Sequence, residues 1–217
     1  MAMIFANNGH ERISRVWAMP TPDTFSCAPI GNFVKRYLSQ SKVSIDPFSR
    51  NKRWATYTND LNPETEAEHH MKADKFLSML VAQNVKADLI IFDPPYSLSQ
   101  AKEVYAKFGE QQFTLADTQN VGAWQVEKRL CNKLLLPGGV FLHFGWHSNG
   151  LGKKYHCQII ELLLVAHGRS HNDTICLAEV KVAHQGEMNF AKLSNNACSR
   201  PAFGSGGLCE SDESAGG

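Results

Sequence analysis

The sequence predicts an α/β fold, with a mainly parallel, twisted sheet covered by helices and finished by a C-terminal antiparallel hairpin. Three observations predict it. Short apolar runs alternate with segments of helical period, the pattern of strands joined by helical crossovers. The last two apolar runs, residues 159–165 and 174–182, are joined by a turn containing Gly168 and Asn172, so they read as a hairpin. Polar clusters at Asp46, Asp60, Asp93 and from Gly145 onward each directly follow a strand-like run. In such sheets ligands sit beyond the carboxyl ends of the strands, so these clusters would share one edge.

The elements follow in order. Val43, Ser44 and Ile45 form a short apolar run that ends at Asp46-Pro47, and the β-prone residues 54–58 stop at the polar cluster 59–63. Residues 66–81 keep helical spacing, with Met71, Phe76, Leu77 and Leu80 as the apolar face. Residues 87–92 are a buried strand closed by Asp93-Pro94-Pro95-Tyr96. A helix around residues 122–135 ends at Pro137-Gly138-Gly139 and leads into a strand over 140–144. From about Ser194 the chain is rich in Ser, Gly, Asn and acidic residues, which cannot bury enough apolar surface to order themselves. The expected division is an ordered domain over 1–190 and a disordered Ser/Gly-rich tail over 191–217.

With 217 residues, 43% of them hydrophobic and 20% charged, the chain can bury one sizeable core and reads as a soluble globular protein. A net charge of +1 excludes a global positive field, so any nucleic-acid binding must use local patches. No apolar run is long enough to span a bilayer. The six cysteines show no CxxC pair and there is no secretory segment, which favours reduced thiols and a cytoplasmic location. His167, His171 and Cys176 lack the spacing of a zinc site, so no metal is expected.

Asp93-Pro94-Pro95-Tyr96 is the most specific signal. Neither proline can continue a ladder, and Pro94 keeps Asp93 out of the α region. The product is a stiff turn with a carboxylate, a free carbonyl and an aromatic ring at fixed offsets. A carboxylate and a carbonyl that accept from an exocyclic amino group pull its nitrogen towards tetrahedral geometry and free its lone pair. Tyr96 can stack on the same base, which must first be flipped out of a duplex. The plain alternative is a strand-ending turn with a solvated Asp and a packed Tyr.

Residues 43–181 resemble the DNA adenine-N6 methyltransferases, in particular the small phage and mobile-element type, whose catalytic loop is this tetrad. The resemblance implies a Rossmann-like class I methyltransferase fold and S-adenosyl-L-methionine as cofactor. It carries catalytic roles onto Asp93, Pro94, Pro95 and Tyr96. It also carries cofactor roles onto Asp46, Pro47 and Phe48, onto Asp60 for the ribose hydroxyls, and onto Asp74 for the cofactor adenine. Thr24 and Phe25 match the segment that packs on the methionine moiety. The family's glycines after the Pro-Phe pair are absent, since Ser49, Arg50 and Asn51 stand there. Asp60 reads alternatively as a helix cap, Asp74 as a solvated helix residue, and residues 18–30 as a lead-in covering the sheet edge.

Residues 145–154 read either as a phosphate-contacting loop, with Lys153 and Lys154, or as a surface turn. Arg50, Lys52 and Arg53 form a second basic cluster, or a solvated face. The expected substrate is double-stranded DNA with the target base flipped, read through a short or relaxed recognition sequence. The 97–135 stretch would have to provide that reading. An RNA base N-methyltransferase and a catalytically silent methyltransferase-like scaffold remain as alternatives, and oligomeric state is unreadable.

Overall fold

The computed structural model describes residues 12–107, 124–168 and 171–183. The expected tail over 191–217, and residues 108–123 of the presumed recognition stretch, lie outside them. In chain order the described elements are β1 (Arg12–Trp17), α1 (Ala28–Leu38), β2 (Ser44–Asp46), β3 (Tyr57–Thr58), α2 (Ala73–Ala82), β4 (Ala87–Phe92) and α3 (Leu98–Lys107). They continue with α4 (Gln125–Leu134), β5 (Leu135–Gly145), β6 (Cys157–Ala166) and β7 (Thr174–Lys181).

The described strands form one sheet in the order β1-β6-β7-β5-β4-β2-β3. All neighbours are parallel except β7, which runs antiparallel to both β5 and β6. The α/β class and the closing hairpin are as expected. The hairpin, however, is threaded so that its second strand lies inside the sheet and β6 lies further out.

β4 shows why the central strands read as continuous apolar runs. Successive side chains point to opposite faces, and both faces are covered. Leu89 and Ile91 face Ile30, Phe33, Val34 and Tyr37 of α1. Ile90 and Phe92 face Phe76, Leu77 and Leu80 of α2 with Leu130, Cys131 and Leu134 of α4. The apolar spacing 30, 33, 34, 37 is that of one helix face, with Pro29 in the first turn, so α1 is legible in the sequence although it was not among the expected elements.

The helix expected over 66–81 begins only at Ala73. The backbone ahead of it is claimed by the end of β3 instead. His69 N–H donates to the Thr58 carbonyl (3.1 Å) and Asp60 N–H to the His69 carbonyl (3.0 Å). The buried Asn59 amide closes the arrangement, accepting from Met71 N–H (3.1 Å) and donating to the Met71 and Pro47 carbonyls (2.9 and 3.1 Å). These bonds use the donors that another helical turn would need. Similarly, only Tyr57 and Thr58 of the expected 54–58 strand join the sheet.

Candidate functional site

β2, β3, β4 and β5 are parallel, so their carboxyl ends open on the same edge, and a cavity of about 590 Å³ lies there. That size suits a small molecule. Its wall includes Pro47 and Phe48 after β2, Asn59 to Asn62 after β3, the whole Asp93–Tyr96 turn after β4, and Trp146 after β5. Thr24 reaches it from the segment before α1, and Lys72 and Ala73 bring the start of α2 to it.

The turn after β4 is internally bonded. The Tyr96 hydroxyl donates to Asp93 Oδ1 at 2.7 Å, and Thr24 Oγ1 lies 3.5 Å from the same hydroxyl. Tyr96 N–H donates to Gln100 Oε1 at 2.9 Å, tying the turn to the first turn of α3. Burial pushes the Asp93 carboxyl up to about 6, against the Tyr96 and Thr24 hydroxyls, which favour its charged form. Burial and the neighbouring carboxylate push the Tyr96 phenol upward, so it stays protonated and keeps donating.

Asp60 lines the cavity with both oxygens engaged. Oδ2 accepts from Arg50 N–H (3.0 Å) and Oδ1 from Asn62 N–H (2.8 Å), which fixes the carboxylate across two loops. Each oxygen keeps a further lone pair. Asp46 is fully buried beneath the wall rather than on it. Its Oδ1 accepts from Phe48 N–H (3.0 Å), and burial, with Asp93 and Asp60 nearby, raises its carboxyl well above the usual range.

Besides Asp46, two further expected cofactor contacts stand off the cavity wall. Phe25 is buried in the core, with its ring centroid 5.1 Å from Phe144 and 5.9 Å from Trp54. Asp74 sits on the first turn of α2 but off the cavity wall, 4.0 Å from the Lys75 ammonium, while Lys72 and Ala73 beside it face inward. On α2 the buried face is Ala73, Phe76, Leu77 and Leu80, and Asp74 lies about 100° round the helix from Ala73, off that face.

The missing glycines have a structural consequence. Arg50 adopts a left-handed backbone, φ +50°, a conformation that favours glycine. Its side chain spans to the Pro22 carbonyl at 2.8 Å, and Lys52 pairs with Asp23 at 3.2 Å. The basic cluster is thus partly a strap onto residues 22 and 23. Arg50→Gly and Arg50→Ala both cut that strap, but only Gly relieves the backbone. The Gly variant should be more stable by roughly 1 kcal/mol in thermal unfolding. Equal stabilities would show that the turn is unstrained.

His167, His171, Asn172 and Thr174, for which no site role was expected, also line the cavity. His167, buried, bonds through Nδ1 to the Ala18 carbonyl (2.7 Å) and through Nε2 to Thr174 Oγ1 (2.9 Å). The carbonyl requires Nδ1 to carry a proton, so in the neutral tautomer Nε2 is the acceptor of the hydroxyl. The available sequence signal was the place of His167 directly after β6 and of Thr174 at the start of β7. Among the described residues no cluster of His, Cys, Asp and Glu could hold a metal ion, and no helix is long and apolar enough to cross a membrane.

No protein-family model and no curated protein matches the chain. Solved structures do overlap it. SMU.776 complexed with SAH matches at 13% identity and TM-score 0.46, covering 68% of this chain and 48% of its own. NSun6 from Pyrococcus horikoshii with SFG matches at 15% and 0.45, covering 69% and 50%. TrmN from Thermus thermophilus matches at 14% and 0.42, covering 72% and 49%. The chain spans about half the length of these structures.

Proposed function

We propose that the protein moves a methyl group from S-adenosyl-L-methionine to the exocyclic amino group of a nucleobase, with adenine N6 in DNA as the substrate. The observation that carries this reading is the Asp93–Tyr96 turn. It closes the central strand β4 and shares one cavity with Phe48 and Asp60.

The residues present fit the cofactor. Pro47, Phe48 and Met71 give an apolar wall suited to a planar ring, and Asp60 offers fixed acceptors for vicinal hydroxyls. Asp60 and Asp93 on the cavity wall favour a ligand carrying positive charge. When bound, S-adenosyl-L-methionine supplies an electrophilic methyl group. The chain does the rest. Asp93 accepts an N–H of the substrate amino group through its remaining lone pairs, a carbonyl of the turn accepts the other, and Tyr96 offers its ring to the base. Phe48 and the Asp93 turn bound the same space, which brings donor and acceptor together.

The test is incubation with labelled cofactor and separate DNA and RNA pools, followed by nucleoside analysis. Label in N6-methyladenine from DNA is expected. Label only in RNA would move the substrate to the alternative class, and cofactor binding without transfer to either pool would favour a scaffold. Asp60→Ala should weaken cofactor binding by roughly 1.5–3 kcal/mol, the worth of a charged hydrogen bond. Asp60→Asn, which keeps one acceptor oxygen, should lose less. Calorimetry showing unchanged affinity in both would remove Asp60 from the site.

A further inference from the structure

The loop after β5 rests on two buried charges. Glu179 on β7 and Lys128 on α4 are 2% and 3% exposed. Glu179 accepts the N–H of Leu151 at 2.5 Å and of Gly152 at 2.9 Å. The Lys128 ammonium donates to the Asn149 carbonyl at 2.6 Å. A side chain at position 150 would collide with the Glu179 carboxylate, and Gly152 has φ +68°, so both glycines are required by this seat. A solvated surface turn needs none of this, because burying a charge is costly unless it is well paired. Burial pushes the Glu179 carboxyl up and the Lys128 ammonium down, each opposed by the charge of the other.

The other end of the loop explains what the seat holds. Trp146 lines the cavity and meets the Tyr96 ring edge-on at 5.8 Å, and His147 stacks on His143 at 5.4 Å. Resting on the methyltransferase reading, we propose that Glu179 and Lys128 are positioning residues. They hold the 146–152 loop so that Trp146 buttresses Tyr96 in the orientation in which its hydroxyl bonds Asp93. The loop is therefore part of the acceptor-base site by support.

The groups whose charge bears on Asp93 are the Tyr96 and Thr24 hydroxyls, Asp23, Arg50, Asp46 on β2 and Cys176 on β7. Of these, only the Tyr96 bond depends on Trp146. Loosening the loop should weaken it and move Asp93 upward, which a purely structural role for Glu179 would not do.

The experiment compares the full-length wild type with Glu179→Gln and Trp146→Ala. Two readouts are followed: the pH profile of single-turnover methylation, and the Asp93 carboxyl titration by carbon-13 NMR, which needs no activity. Both variants should lose about tenfold or more in transfer rate with cofactor affinity within about threefold, and the Asp93 titration should rise by roughly half a unit. If Glu179→Gln does not fold, Lys128→Met, which removes the bond to the Asn149 carbonyl, tests the seat in its place, and Trp146→Ala tests the buttress. An unmoved Asp93 titration in the folded variants overturns the proposal. If the wild type methylates nothing, the methyltransferase reading fails, while the NMR result still decides whether the loop supports Tyr96 and Asp93.

Discussion

Replacing Asp93 by Ala or Asn should collapse methyl transfer by roughly a hundredfold or more, the cost of removing one well-placed polar catalytic contact. Cofactor affinity should change by less than about tenfold, since Phe48 and Asp60 are untouched. The acceptor role needs the carboxylate. With Asp93 pushed up to about 6, the wild-type rate should climb as pH rises through that value and level off above it. Stability should move the opposite way. A carboxyl whose folded pKa exceeds its unfolded value, about 3.9, opposes folding once pH passes the unfolded value, with full effect above the folded one. Asp93→Asn should therefore be more stable than wild type at pH 7–8, by up to roughly 2–3 kcal/mol, with the gain disappearing below about pH 4. Tyr96→Phe keeps the ring but loses the 2.7 Å bond to Asp93, so its rate profile should shift to higher pH. Parallel cofactor titrations, single-turnover rates and unfolding curves check all of this. An Asp93→Ala protein that methylates at near wild-type rate would end the amino-group mechanism.

Phe25→Ala should cost about 3–5 kcal/mol of stability, the usual penalty for emptying a buried aromatic site. The ring packs between Trp54 and Phe144 and is 5% exposed, so the cavity left behind lies in the α1 face of the core. A cofactor contact would behave differently, losing affinity with little change in folding. Denaturant unfolding and calorimetry at a temperature where the variant is folded separate the two. Affinity should stay within about tenfold of wild type. A large affinity loss with unchanged stability would restore Phe25 to the binding site.

What the sequence determined by itself is local. The period of the apolar runs specified β4, most of β5, β6 and β7, because a strand covered on both faces must be apolar at every position. Proline chemistry specified the turn at Asp93, and the order of strand then polar cluster specified which edge would carry Asp60, Asp93 and Trp146. α1 was equally legible at 30, 33, 34 and 37. Only the tertiary structure decided the rest, because those choices depend on partners far away in the chain. Residues 68–71 pattern as helix, yet their backbone groups pair with 58–60, which delays the start of α2. Phe25 became core because Trp54 and Phe144 close over it. The hairpin's local pattern is satisfied whichever of its strands lies beside β5. Its order was set by β7 filling the place between β5 and β6, where Glu179 can reach a loop 28 residues earlier. Side-chain period encodes which face is buried, and carries no record of which distant polar group will satisfy a buried donor or charge.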